Sequence, residues 1–218
     1  MTKLRLRYSK NGKARYISHL DLIATMIRAL LRAGVELKYT EGFNPHPYMS
    51  VALPLSVGCG SICELMDISV VATTIPDGFA KSVNDVLPEG IEVLDVYSPE
   101  RKFNEIAWIG INGVLQYDTG SQSNVAERLA SRFDEESIII QKRTKRGVSD
   151  IDIAPFIRDI SFHCGSDISM SACICAQNPT INPENLISAL EGGSSALLPD
   201  FASFTRRELY SADMTEFR

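Results

Sequence analysis

Three side chains near the start of the sequence could carry acid–base chemistry. His19 and Asp21 lie in the stretch SHLD, and His46 lies between two prolines in the stretch GFNPHP. Imidazole titrates near neutral pH, so His19 and His46 could act as acid and base beside a carboxylate. With Glu64 or Asp67 they could instead bind zinc, iron or manganese. Spacing alone does not show that these groups converge, so the sequence predicts no metal site.

The stretch around His46 is stiffened by its prolines. Pro45 and Pro47 fix φ and favour an extended backbone at Asn44 and His46. A loop restrained in this way loses little entropy on binding. The pattern predicts that Phe43 stacks on a base or ring while Asn44 and His46 form hydrogen bonds. The alternative is a rigid connection between a helix and a strand, with Phe43 in the core.

Positive charge is concentrated in the first forty residues. They hold nine Lys and Arg against two Asp and Glu, whereas residues 41–100 hold one Lys against nine Asp and Glu. A chain of net charge −5 can therefore carry a local positive surface. Arginine matches phosphate oxygens through its planar guanidinium, so we predict an RNA-binding set, with solvated charge as the alternative. The set is Arg5, Arg7, Arg15, Arg28 and Arg32, together with Lys142, Arg143, Lys145 and Arg146 in the stretch KRTKR.

The elements that must position these residues alternate between strands and helices. Residues 3–8 alternate basic and apolar side chains, as in a half-buried strand whose outward face carries Lys3, Arg5 and Arg7. A helix follows from Ser18, which stands at capping distance from Asp21. Its predicted inward stripe is Leu20, Ile23, Ile27, Leu30 and Leu31. Strands at 49–57 and 62–72, a helix at 76–88 and a strand at 91–97 complete a β-α-β-β-α-β order.

This order predicts an α+β fold of two tandem ferredoxin-like (βαββαβ) halves. Residues 1–97 form the first half, and residues 98–104 form a linker. Residues 105–218 repeat the order as the second half, with an inserted basic hairpin around KRTKR.

Composition indicates an ordinary globular chain. Of 218 residues, 44% are hydrophobic and 22% charged, and no apolar run is long enough to span a bilayer. Without a secretory signal, the expected location is cytoplasmic, with no membrane contact. The five cysteines are expected to be free thiols, and Cys59 and Cys63 to be small buried residues. The one GxG, at 58–60, joins two strands, so no cofactor is predicted.

Several motifs resemble one family. RYISHLDL, RALLRAG, YTEGFNPHP and ALPLSVG followed by ELMD are similar to the radical-SAM-linked family that carries a domain of unknown function. The likeness continues more thinly through DIDIAPFI, INPENLISAL and FTRREL, so it covers most of the chain. It implies a radical-SAM protein as partner, and some family members lie beside ribonuclease E/G-like proteins.

Two functions are consistent with these observations. We favour an RNA-binding accessory module for a radical-SAM partner, in tRNA or rRNA modification or processing, because the sequence contains no recognisable set of catalytic residues. The alternative is a stand-alone RNA-processing enzyme that uses His19 and His46 as acid and base.

Overall fold

The structure is a computed structural model, and it describes residues 2–75, 77–118, 122–144, 147–191 and 197–218. The chain divides into two units, Met1–Glu105 with Arg218 and Ile106–Phe217. The fold is α+β, with four α-helices in the described residues. None of those four helices is both long enough and apolar enough to cross a membrane.

The first unit follows the predicted β-α-β-β-α-β order. Its strands and helices are β1 (Thr2–Lys10), α1 (His19–Arg32), β2 (Met49–Val51), β3 (Gly60–Val70), α2 (Phe79–Asn84) and β4 (Ile91–Tyr97). Strand β1 lies between β4 and β3, β2 pairs with β3, and all three pairs are antiparallel. β2 is shorter than the predicted strand at 49–57. It ends before Pro54, which has no N–H to donate to a sheet.

Helix α1 begins where the sequence predicts, but it buries a different face. Ser18 caps it, because its Oγ accepts a hydrogen bond from the Asp21 N–H at 3.2 Å. The predicted inward stripe is wrong at Leu20 and Leu31, which are 76% and 47% exposed, whereas Leu30 is buried and Ile27 packs against the core. The residues that α1 buries are Leu22, Met26, Ala29 and Leu30. They belong to one core cluster with Leu4 and Leu6 of β1.

The opposite face of β1 is more buried than its alternation of basic and apolar residues predicts. Lys3 is exposed and Arg7 is half-buried, but Arg5 is completely buried. The prediction of a solvent-facing Arg5 is therefore wrong. Residues 101–105 lie over it: the Arg101 carbonyl accepts a hydrogen bond from Arg5 Nη2 at 2.8 Å, and the Phe103 ring centre lies 4.3 Å from the guanidinium carbon.

The second unit has the predicted strands and helices in the predicted order. They are β5 (Trp108–Gln116), α3 (Gln122–Phe133), β6 (Ile139–Thr144), β7 (Gly147–Asp152), β8 (Ile157–Cys164), β9 (Ile168–Cys175), α4 (Pro183–Glu191) and β10 (Phe201–Tyr210). The strand order is β10-β5-β9-β8. Strands β6 and β7 pair only with each other, as an antiparallel hairpin inserted between α3 and β8.

All five cysteines are free, as predicted. Cys164 is exposed, and the other four are buried, including Cys59 and Cys63. Burial raises the pKa of the Cys173 thiol to about 11. The Cys173 thiol is therefore protonated and poorly nucleophilic at neutral pH.

Candidate nucleic-acid interface

Residues 38–48 form a hairpin that we call the proline hairpin. At its base the Tyr48 N–H donates to the Lys38 carbonyl at 2.8 Å, and Lys38 and Ser69 of β3 are joined by a further backbone hydrogen bond of 2.9 Å. Nearer the tip, the Thr40 N–H donates to the His46 carbonyl at 2.9 Å, and the His46 N–H donates to Thr40 Oγ1 at 3.1 Å. These bonds anchor the proline hairpin to the sheet of the first unit.

Phe43 lies at the tip of the proline hairpin with its ring fully exposed. The preceding Gly42 has φ +123°, a backbone conformation that other residues rarely adopt. Asn44 and Pro45 are also exposed. Its exposure excludes the alternative of a core position for Phe43. An exposed aromatic ring on a restrained backbone loses little entropy when it stacks on a planar ligand, and stacking by Phe43 stays a prediction.

The position of His46 restricts its tautomer. Its Nδ1 lies 3.1 Å from the Asn44 carbonyl oxygen and 3.4 Å from Thr40 Oγ1. A carbonyl oxygen only accepts, so this contact places the proton on Nδ1, and the neutral ring then has Nε2 as its acceptor. The imidazole is exposed, so Nε2 is accessible to a ligand.

His19 and Asp21 lie in the first turn of α1. Ser18 Oγ donates to Asp21 Oδ2 at 2.7 Å, so the carboxylate takes part in capping. In the described part of the chain no hydrogen bond joins His19 to His46. No group of three or more His, Cys, Asp or Glu side chains in those ranges could hold a metal ion.

The two carboxylates considered with these histidines are buried in β3. Glu64 and Asp67 are 1% and 3% exposed. Asp67 accepts two hydrogen bonds from Arg5, from Nε at 2.7 Å and from Nη2 at 3.0 Å. Lys3 Nζ lies 2.9 Å from the same carboxylate. The Asp67 carboxylate is therefore paired with two cations of its own unit, which favours a structural role.

The predicted arginines of the first unit occupy different environments. Arg5 is buried, whereas Arg7 and Arg15 are half-buried and interact within the protein. Arg28 and Arg32 are exposed on α1, and within the described residues neither has an ion-pair partner. Of the five predicted arginines of this unit, all within the described residues, only these two are exposed and lack a hydrogen-bond or ion-pair partner.

The basic stretch of the second unit lies at the end of the β6–β7 hairpin. Lys142 Nζ donates to the Thr180 carbonyl, so this ammonium is engaged within its own unit. Arg143 lies in β6. Lys145 and Arg146 lie outside the described residues.

Two further aromatic residues of the proline hairpin were missed by the sequence reasoning. Tyr39 and Tyr48 stand at the two ends of the proline hairpin and are 40% and 43% exposed. The Tyr39 backbone pairs with that of Pro47, which keeps both strands of the hairpin together. Aromatic residues on both sides of a proline-rich loop are the sequence signal that indicates them.

The fold and the hairpin together define an α+β protein of two sheet-containing units, one of which presents a braced aromatic loop. The chain belongs to the family described as "Uncharacterized protein conserved in bacteria (DUF2344)", whose model matches residues 3–183. No curated protein matches the sequence.

Among solved structures, 28 chains match this fold. One of them comes from the "Crystal Structure of a Cbf5-Nop10-Gar1 Complex", with a TM-score of 0.50 and 9% sequence identity. The match covers 94% of this chain and 48% of that chain, so this protein spans about half of its structural neighbour. At such low identity the likeness concerns the fold alone.

Proposed function

We propose that this protein is an RNA-binding accessory module that acts with a radical-SAM partner in the modification or processing of tRNA or rRNA. The observation that carries the proposal is the fully exposed Phe43 at the tip of the braced proline hairpin. Sequence-specific and single-stranded RNA recognition depends largely on unstacked bases that lie against aromatic side chains.

The neighbouring polar groups suit a nucleotide. The Asn44 side chain offers a donor and an acceptor, and His46 Nε2 offers an acceptor in the neutral ring. Bases and the ribose 2′-hydroxyl supply the complementary groups. Tyr39 and Tyr48 extend the aromatic surface of the same hairpin.

Phosphate contacts in this proposal come from the exposed cations. Arg28 and Arg32 are available on α1, and Arg7 and Arg15 are further candidates. Lys142, Arg143, Lys145 and Arg146 keep their predicted role in a second contact. Arg5 is removed from the set because it is buried against Asp67.

We also propose that the two units are tandem ferredoxin-like halves, residues 1–97 and 105–218, joined at 98–104. The β-α-β-β-α-β order of the first unit and its counterpart in the second, with the β6–β7 hairpin inserted, support this assignment. The radical-SAM partner rests on the sequence motifs SHLDL, GFNPHP and ALPLSVG.

RNA binding is tested by fluorescence anisotropy with two probes, a labelled mixed-sequence single-stranded RNA and bulk tRNA. Phe43→Ala is expected to weaken binding ~5- to 100-fold, because stacking contributes about 1–3 kcal/mol per base. Phe201→Ala is the matched control, since Phe201 is a 56% exposed phenylalanine of the second unit. Equal affinities for wild type and Phe43→Ala, or no binding of either probe at low salt, would remove the proposal.

A further inference from the structure

Helix α1 carries a second apolar stripe, a seam whose two end residues are exposed. Leu20, Ala24, Ile27 and Leu31 follow one another at intervals of four, three and four residues. At ~100° per residue they fall within a sector of about 60°. Leu20 and Leu31 are exposed, Ala24 is half-buried, and Ile27 is half-buried with one side packed against the core of its own unit. This spacing is the one by which helices pack along an apolar seam.

Charged side chains follow the seam on one side only. Asp21, Arg28 and Arg32 all lie roughly 90° around the helix from the seam, in the same direction. All three are exposed. The side chain of Asp21 bonds only to Ser18, and the two arginines have no ion-pair partner in the described residues.

The seam is symmetric about a point halfway along it. Leu20 and Leu31 are equally far from that point, and so are Ala24 and Ile27. A second, antiparallel copy of α1 would therefore place Leu20 opposite Leu31 and Ala24 opposite Ile27. The large side chains meet at the two ends, and a small residue meets a large one near the centre.

The charges obey the same symmetry. Reflected through the halfway point, Asp21 falls midway between Arg28 and Arg32. Its offset from each arginine along the helix axis is two residues, or about 3 Å. A carboxylate there is within reach of both guanidinium groups.

We propose that two copies of this chain associate through α1 as an antiparallel, two-fold symmetric helix pair. A two-fold axis perpendicular to both helices keeps the charged side of one copy facing the charged side of the other. Asp21 of each copy then pairs with Arg28 and Arg32 of its partner. In a parallel pair the charged side faces the uncharged side around Ile23, and these ion pairs do not form.

The dimer is weak. Four seam residues on a helix of 14 residues bury less than the ~1,200 Å² that is typical of stable interfaces. Self-association is therefore expected only at concentrations of roughly tens to hundreds of micromolar. The inference does not depend on RNA binding, although it uses the same two arginines.

Sedimentation equilibrium with a charge exchange tests the pairing. In a dimer of Asp21→Lys chains, Lys at position 21 would face Arg28 and Arg32 of the other copy. In a dimer of the double variant Arg28→Glu/Arg32→Glu, Asp21 would face two glutamates. Like charges repel in both dimers, so each variant alone is expected to be monomeric. Mixed together, the two variants satisfy both ion-pair sets and regain dimers. Circular dichroism checks folding, because Asp21→Lys loses the bond from Ser18.

Cysteine cross-linking tests the orientation in a Cys164→Ser background, in which the remaining cysteines are buried. An equal mixture of Leu20→Cys and Leu31→Cys chains is expected to form disulfide dimers under mild oxidation. Each chain alone is not, because two copies of position 20 lie ~16 Å apart along an antiparallel pair, beyond disulfide reach.

The proposal is overturned if wild type stays monomeric over this concentration range, or if each cysteine variant cross-links alone as well as the mixture does. Leu20→Glu separates it from the RNA proposal. Leu20 is 76% exposed, so this variant is expected to fold, to weaken dimerisation at least ~10-fold and to bind RNA like wild type. Loss of RNA binding with the dimer intact, as expected for Phe43→Ala, concerns the other proposal only.

Discussion

The Asp67→Ala substitution tests the structural role assigned to the buried ion pair of the first unit. Arg5 and Asp67 are directly opposite each other on β1 and β3, with side chains 0% and 4% exposed. Two hydrogen bonds join them, at 2.7 and 3.0 Å. Removing the carboxylate deprives a buried guanidinium of two charge-assisted hydrogen bonds, while the Arg101 carbonyl and the Phe103 ring still contact it.

Breaking a buried pair by deleting one partner costs about 3–5 kcal/mol. We expect the lower end, ~3 kcal/mol, because the bonds to Arg101 and Phe103 survive the substitution. Lys3 shares the same carboxylate, but its side chain is 56% exposed. Solvent screens that contact, so Lys3→Ala is expected to cost under about 1 kcal/mol.

Urea unfolding followed by circular dichroism measures both effects. With an m-value of about 1.5–2 kcal/mol/M, a loss of ~3 kcal/mol lowers the midpoint by roughly 1.5–2 M. The double variant Arg5→Met/Asp67→Leu is expected to be more stable than Asp67→Ala, because it leaves no buried charge. A midpoint for Asp67→Ala within error of that for Lys3→Ala would refute the reasoning and reopen Arg5 as a surface residue.

Two further predictions concern titratable groups of the second unit. Iodoacetamide at neutral pH is expected to alkylate Cys164 alone and to give one adduct by intact mass spectrometry. The other four cysteines are buried, and burial raises the pKa of Cys173 to about 11. Multiple adducts on the folded protein would contradict this. Hydrogen bonds from Ser211 and Thr215 lower the pKa of Asp213 to about 2. Its stabilisation is present above the unfolded value of about 3.9 and is lost as pH falls towards 2, so Asp213→Asn should flatten the acid limb of a stability–pH curve over that interval.

The proline hairpin was the part of the candidate site most accessible from sequence. Proline and glycine act on the backbone of their own segment, so the stiffness of the loop follows from local chemistry, whereas the exposure of Phe43 was left open by the sequence. The hydrogen bond between His46 and Asn44 is also local.

Arg5 shows why the burial of a side chain by a distant part of the chain could not be predicted from the sequence. The alternation of β1 correctly separates Leu4 and Leu6 from Arg5, but alternation only assigns residues to one of two faces. Whether the second face of β1 is exposed to solvent depends on a segment about a hundred residues further along the sequence. Arg101 and Phe103 lie in a segment whose composition resembles a linker, and nothing local indicates that it returns to β1.

The buried face of helix α1 is mispredicted from the sequence for a different reason. Its sequence has apolar residues on two sides, and a periodicity of 3.6 residues is satisfied by either stripe. The core selects Leu22 and Met26 because these face β1 and β3, which leaves Leu20 and Leu31 in water. Exposing two leucines carries a solubility cost that a helix can avoid with polar residues. The proposed antiparallel pair of α1 helices gives these two leucines a partner, and the positions of Asp21, Arg28 and Arg32 select the antiparallel over the parallel orientation.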